Sequence, residues 1–352
     1  MPRTRLKIRI VLVAALAGAL VALTATVAGA SRLTGTHLSG AGSTFVQPLV
    51  NKWISPVKSQ LGTALTYNGV GSTGGVTAID SRGVDMGMSD APLSQFPGKC
   101  TNCVQMPWAL AGTAVVYNLP SLPYLHISGP VLAQMFNCTI TKWNAPAIKA
   151  LNPGRTLPNT TIFPVHRTDG SGTTYNFTDF LSKVSSAWRN GPGTGTSVSW
   201  PSCGGNALGG SHSSGVSGVV KGQVGSIGYV DVYYAKSNSL QYMDVKNAAG
   251  KYIQPTLASF KAAGSSDTTP NSNGVISIVY PSASFPTAYP ICTYTYVDVQ
   301  KTGNGSQAPV IRKFLNWAIH TGQSYGPALL FQPLDPGVVT WDTNNAIPHI
   351  GS

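Results

Sequence analysis

Ile162-Phe163-Pro164-Val165-His166-Arg167-Thr168-Asp169-Gly170-Ser171-Gly172-Thr173 is the stretch on which the fold turns. Residues 162–166 read as a short buried strand, and the run from Arg167 to Thr173 is a turn rich in Gly, Ser and Thr. Residues 175–184 then place Phe177, Phe180, Leu181 and Val184 at i, i+3, i+4 and i+7, which is one apolar face of a helix. A strand passing through a tight turn into an amphipathic helix is the unit from which layered α/β domains are built.

The same grammar occurs twice more. Gly40-Ala41-Gly42-Ser43-Thr44-Phe45 stands ahead of a helical pattern over residues 46–54, and Gly69-Val70-Gly71-Ser72-Thr73-Gly74-Gly75 ahead of one over residues 76–79. Each turn offers free backbone N–H groups, hydroxyl donors and the positive end of a helix dipole, which together hold an anion. Taken singly, each turn is explained by ordinary helix capping. Three of them, each at a strand-to-helix junction, point to convergence on one oxyanion. No Gly-Lys-Ser/Thr follows any of the glycines, which excludes a nucleotide P-loop.

Outward from these turns, residues 65–67, 84–88, 114–118, 227–230 and 291–297 read as further strands. Residues 131–136, 146–151, 232–235 and 309–321 read as helices, the last with Val310, Phe314, Trp317 and Ala318 on one face and Gly322 as its C-cap. Ser55-Pro56 reads as a helix end and residues 191–217 as a Gly/Ser-rich loop region. Alternating strands and helices predict an α/β fold with ligands at the carboxyl ends of the strands.

Composition narrows the class. The 352 residues suffice for two domains with proper cores. With 42% hydrophobic residues and a mean hydropathy of +0.07 the chain is too apolar to be disordered. Arg3, Arg5, Lys7 and Arg9 precede an apolar run at residues 10–27, and Ala28-Gly29-Ala30 supplies the small-x-small pattern of a signal peptidase site. Cleavage before Ser31 and export are expected, an uncleaved anchor being the competing reading of the same run. No cysteine lies near this segment, which speaks against a lipid anchor. Removing the four basic residues leaves 19 Lys and Arg against 11 Asp and Glu, a net charge of +8. No Lys/Arg run is interleaved with aromatics, so nucleic acid is not an expected partner. A mildly positive surface instead suits steering of small anions.

Five cysteines (Cys100, Cys103, Cys138, Cys203 and Cys292) in an exported chain predict structural disulfides with one thiol left over, their pairing open. Cys100-x-x-Cys103 lacks the second half of a zinc site, so no metal is expected. Gly322-x-Ser324-x-Gly326 matches a nucleophile pattern, and Ser55-x-x-Lys58 with Lys301-Thr302-Gly303 imitates a penicillin-recognising hydrolase. The first follows a helix rather than a strand, and the second lacks its Ser-Asp-Asn partner.

Two charged positions stand out. Arg167, at the exit of a buried strand and beside a helix N-terminus, suits bidentate recognition of an oxyanion, and Asp169 is placed to cap the helix and hold the guanidinium. Asp90 ends a strand in Ser89-Asp90-Ala91-Pro92-Leu93. An ionised carboxylate only accepts hydrogen bonds, so it favours an anion that still carries a proton.

With these motifs together, the chain resembles the PstS family, the phosphate-binding receptors of bacterial ABC importers. The three turns and the Asp90 segment occur in that family's order and approximate spacing. Lys142-Trp143-Asn144, Asn152-Pro153-Gly154, the run from Gly225 to Tyr229 and the run from Phe314 to Ala318 also look like it. The similarity extends from Leu38 to about Val339.

The resemblance implies a type II periplasmic-binding-protein-like α/β fold, a Venus flytrap of two lobes joined by hinge strands. Residues 1–30 would be the signal peptide, residues 36–118 with 290–352 one lobe, and residues 119–289 the other. Carried over residue by residue, it places Thr44, Phe45, Ser72, Asp90, Arg167, Ser171, Gly172 and Thr173 on inorganic phosphate, with Asp169 behind Arg167. It further implies an ABC permease's transmembrane subunits as partner, a monomer, no cofactor, no enzymatic activity, and a periplasmic or cell-surface location. The absent lipobox cysteine, the five cysteines and residues 204–218 depart from the family pattern.

Overall fold

The computed structural model describes residues 36–351. The expected targeting segment at residues 1–30 lies outside them. The chain begins as alternating strands and helices: β1 (His37–Gly42), α1 (Gln47–Leu61), β2 (Ala64–Gly69), α2 (Gly71–Asp80), β3 (Met86–Ser89) and β4 (Cys103–Tyr117). Then follow β5 (His126–Ile127), α3 (Gly129–Phe136), α4 (Pro146–Leu151), β6 (Phe163–Arg167), α5 (Gly172–Val184), α6 (Ser186–Asn190), β7 (Leu208–Gly210), α7 (His212–Gly222) and β8 (Ser226–Asp231). Next come α8 (Val232–Ser237), β9 (Gln241–Tyr242), β10 (Asp244–Lys246), β11 (Tyr252–Ile253) and α9 (Leu257–Gly264), and the chain ends with β12 (Cys292–Gln300), α10 (Ala308–Ile319) and α11 (Pro336–Trp341).

The main sheet runs β2-β1-β3-β12-β4-β8-β6-β7, with β9 beside β4. Its two ends are parallel: β1 lies between β2 and β3, and β6 between β7 and β8. Antiparallel β12 and β4 join them. Residues Cys103 to Gly112 of β4 pair with β12, whereas Thr113 to Tyr117 pair with β8. One continuous strand therefore changes partner from β12 to β8 at Gly112-Thr113. Every residue of β4 and of β12 is buried. Burial on both faces erases the alternation that marks a strand in sequence, which is why only the last few residues of β4 were legible.

Two groups of aromatic side chains pack within one continuous core. Trp53 of α1 meets Trp108 of β4 edge-on at 5.1 Å and Phe314 of α10 at 6.4 Å. In the other group Phe177 of α5 stacks on Tyr229 of β8 at 4.3 Å and meets Phe136 of α3 at 4.9 Å. Both helices present the apolar stripe expected of them, with Phe177, Phe180 and Leu181, and Phe314 and Ala318, fully buried.

Several local expectations are corrected. Gly40-Ala41-Gly42 belongs to β1, so the first turn shrinks to Ser43-Thr44-Phe45 before α1. Helix α2 begins at Gly71, placing Ser72 to Gly75 inside it. Gly75 is required there because a side chain would strike Ala41 O (2.7 Å) and Met88 O (2.8 Å) where the helix crosses the sheet. Helix α1 runs through Pro56 instead of ending there; buried Trp53 and Val57 hold the turn on either side of the missing N–H. Helix α10 stops at Ile319 with His320 as its cap, and Gly322 lies in the following 3-10 turn against the Trp317 ring. The stretch read as a loop at residues 191–217 contains β7 and the start of α7, because Gly and Ser at close-packed helix positions disguise the pattern.

Cys100 pairs with Cys103 and Cys138 with Cys203, leaving buried Cys292 reduced. Among the described residues no helix is long and apolar enough to cross a membrane.

Candidate anion-binding site

The segments after β1 and β3 and the starts of α2 and α5 meet through hydrogen bonds among Ser43, Ser72, Asp90, Gly172 and Thr173. Asp90, directly after β3, is 1% exposed. Its Oδ1 accepts from Ser43 Oγ at 2.6 Å and from Thr295 Oγ1 of β12 at 3.1 Å, and its Oδ2 faces Thr173 Oγ1 of α5 at 3.4 Å. Burial raises its pKa to about 6, while those hydroxyls and the nearby Arg167 restrain the rise. At neutral pH the group is mostly a carboxylate whose neighbours are donors from both halves.

Ser72, in the first turn of α2, accepts from Gly172 N–H at 3.0 Å and Asp90 N–H at 3.3 Å. Ser171 is the N-cap of α5, its Oγ accepting from Thr174 N–H at 3.1 Å, which leaves its hydroxyl hydrogen to donate elsewhere. Asp169 holds the Arg167 guanidinium as expected, with Arg167 Nε 2.7 Å from Oδ1 and Nη2 also in contact with Oδ2, but the helix cap expected of it falls to Ser171. Burial would raise the Asp169 pKa, but Arg167 and His212 outweigh it and hold the group below the ordinary carboxylate value. The Arg167 side chain is 2% exposed, and its backbone N–H donates to the Tyr229 hydroxyl at 3.2 Å. Phe45 N–H donates to Ser43 Oγ at 3.0 Å, while Thr44 Oγ1 touches Ser213 Oγ at 3.0 Å.

Thr44, Phe45, Ser72, Asp90, Arg167, Ser171, Gly172 and Thr173 come from four separate turns, and hydrogen bonds tie Ser72, Asp90, Gly172 and Thr173 directly to one another. With Asp90 ionised, the formal charges of Arg167, Asp169 and Asp90 sum to −1. Many of the donors here are already committed within the protein: Phe45 N–H to Ser43 Oγ, Gly172 N–H to Ser72 Oγ, and the Ser43 and Thr173 hydroxyls to Asp90.

The sequence reading assigned no role to five further residues here. Ser43 and Thr295 hydrogen-bond Asp90. His212 N–H, opening α7, donates to Asp169 Oδ1 at 2.8 Å, and Ser213 reaches Thr44. Asp231, ending β8, caps α8 through Oδ1 (3.1 Å from Tyr234 N), and its buried Oδ2 has no hydrogen-bond partner among the described residues. Burial, with Asp90 nearby, pushes the Asp231 pKa well up. A Ser-His-Ser-Ser run ahead of an apolar 3-4 pattern was the one signal available for α7.

A family model described as PBP superfamily domain matches residues 26–321. Phosphate-binding protein PstS of Xylella fastidiosa (strain 9a5c) is 37% identical over 313 residues, covering 88% of this chain and 85% of that protein. The chain belongs to the PstS family. Phosphate-binding protein PstS of Haemophilus influenzae is 35% identical over 306 residues, covering 86% of this chain and 90% of the relative. The fold matches that of a high affinity periplasmic phosphate-binding protein solved with phosphate bound, at a TM-score of 0.68 and 22% identity, covering 90% of this chain and 99% of the other. The α/β fold is thus that of the PBP superfamily.

Proposed function

We propose that this protein is an exported receptor that closes on inorganic phosphate between two lobes and presents it to the transmembrane subunits of an ABC importer. The observation that carries the reading is Asp90, a buried carboxylate set among donors from both halves. Phosphate at neutral pH retains a proton to donate to it, while sulfate has none. A buried like charge without compensation costs several kcal/mol, and each ~1.4 kcal/mol is tenfold in affinity. Sulfate is therefore rejected by orders of magnitude, as are other fully deprotonated oxyanions.

The partner change within β4 at Gly112-Thr113 supports lobes of residues 36–118 with 290–352 and of residues 119–289. The names of the relatives support phosphate as ligand, and "periplasmic" in the name of a structural neighbour supports a location outside the cytoplasmic membrane. A binding role is supported by the names of the relatives, which are phosphate-binding proteins. Isothermal titration of the purified protein with phosphate and then sulfate tests the reading: tight phosphate binding with no measurable sulfate heat supports it, and equal binding of both ends it.

A further inference from the structure

We propose that Ser213 is a positioning residue that aims the Thr44 hydroxyl at the bound anion and ties affinity to lobe closure; the inference rests on the phosphate reading above. The first two N–H groups of helix α7 are already committed. His212 N–H donates to Asp169 Oδ1 at 2.8 Å, and Ser213 N–H donates to Thr44 Oγ1 at 3.3 Å. Ser213 Oγ lies 3.0 Å from the same Thr44 oxygen. Ser213 and Thr44 are 1% and 5% exposed, so water does not compete for these bonds.

A hydroxyl oxygen offers two lone pairs and one hydrogen. With Ser213 supplying both an N–H and an O–H, the two lone pairs of Thr44 are filled. Its single hydrogen is left to point away from Ser213, toward the anion. The two residues are 169 positions apart, Thr44 in the β1–α1 turn and Ser213 in the β7–α7 turn of the other half. The contact therefore forms when the halves meet, and it pre-orients a hydroxyl that would otherwise rotate freely. Such pre-organisation lowers the ordering cost of binding.

The test is a double-mutant cycle with Ser213→Ala and Thr44→Val, read by phosphate titration and by release rate from intrinsic tryptophan fluorescence. Ser213→Ala is expected to weaken phosphate binding about 5- to 10-fold, the worth of one hydrogen bond, mainly through faster release. Rejection of sulfate stays intact because Asp90 is untouched. In the Thr44→Val background the further loss falls below about 2-fold, since the partner is already gone. A purely structural loss would appear equally in both backgrounds, and that result overturns the proposal. Tighter binding by Ser213→Ala also overturns it, because it would mean that Thr44 spends its hydrogen on Ser213. If the unaltered protein fails to bind phosphate, the functional reading itself falls and takes this inference with it.

Discussion

Gly172 N–H donates to Ser72 Oγ at 3.0 Å, joining the first turns of α5 and α2 across 100 residues of chain. The same oxygen accepts from Asp90 N–H at 3.3 Å, so three segments meet on one hydroxyl. A side chain on Gly172 would sit 2.6 Å from Asp90 N and 2.7 Å from Ser72 Oγ.

That crowding makes Gly172→Ala the most direct probe of the closed geometry. Overpacking of this kind costs about 1–3 kcal/mol, here charged to closure, so phosphate affinity should fall roughly 10- to 100-fold. Titration checks it. Unchanged affinity would mean that the two turns do not meet in the liganded protein.

Asp90 makes sulfate rejection depend on pH. Its pKa of about 6 means that the group becomes neutral in mild acid. Sulfate affinity should therefore climb roughly tenfold for each unit that pH falls toward 6, then level off, while Asp90→Asn removes the dependence. Competition titrations between pH 5 and 8 provide the measurement, and a flat sulfate profile in the parent contradicts the assignment.

The same carboxylate bears on stability. Burial raises its pKa from 3.8 to about 6 in the folded chain, so the native state holds the proton more tightly than the unfolded one. The stability it contributes is complete below the ordinary carboxylate value and is lost as pH rises through about 6. A shift of two units corresponds to about 3 kcal/mol. Unliganded Asp90→Asn should melt above the parent at pH 8 and with it at pH 4. Coincident melting curves at pH 8 would show that the buried charge carries no cost.

Arg167→Lys keeps the charge but loses the planar pairing with Asp169. A point charge on a flexible stem cannot serve the carboxylate and the anion at once. Losing one charge-assisted hydrogen bond costs about 1.5–3 kcal/mol, or roughly 10- to 100-fold in phosphate affinity. Full affinity in the lysine variant would place Arg167 outside the contact.

The Cys138–Cys203 bond closes a loop with a sequence separation of 65. It fastens the segment that leads into β7 and α7. Replacing both cysteines by serine should lower unfolding free energy by about 4 kcal/mol on the chain-entropy account. Chemical denaturation measures it, and an unchanged midpoint would show that the loop is held by packing alone.

Sequence patterning exposed the elements that are amphipathic or sharply bounded. The stripe of α5, the stripe of α10, the strands leading into the second and third turns and the helix at 146–151 were all legible. The 3.6-residue period and the capping chemistry are local properties that survive in a string of letters. Strand β4 and helix α7 were not. The first is buried on both faces and carries no period, and in the second glycines and serines stand where another helix would show larger apolar side chains. The stop of α10 was misplaced because Gly322 packs on Trp317 rather than ending the helix.

The chain by itself pointed to the residues proposed for the anion chemistry, the Gly/Ser/Thr turns, Arg167 and Asp90, since helix starts and charged groups are written directly in residue order. Tertiary structure decided what those residues do to one another. It brought His212 N–H to the Asp169 carboxylate, surrounded Asp90 with Ser43, Thr173 and Thr295, and set Ser213 against Thr44. Hydrogen bonds between groups 43 to 205 positions apart depend on where the sheet's crossing strands deliver each turn, and no local spacing encodes that.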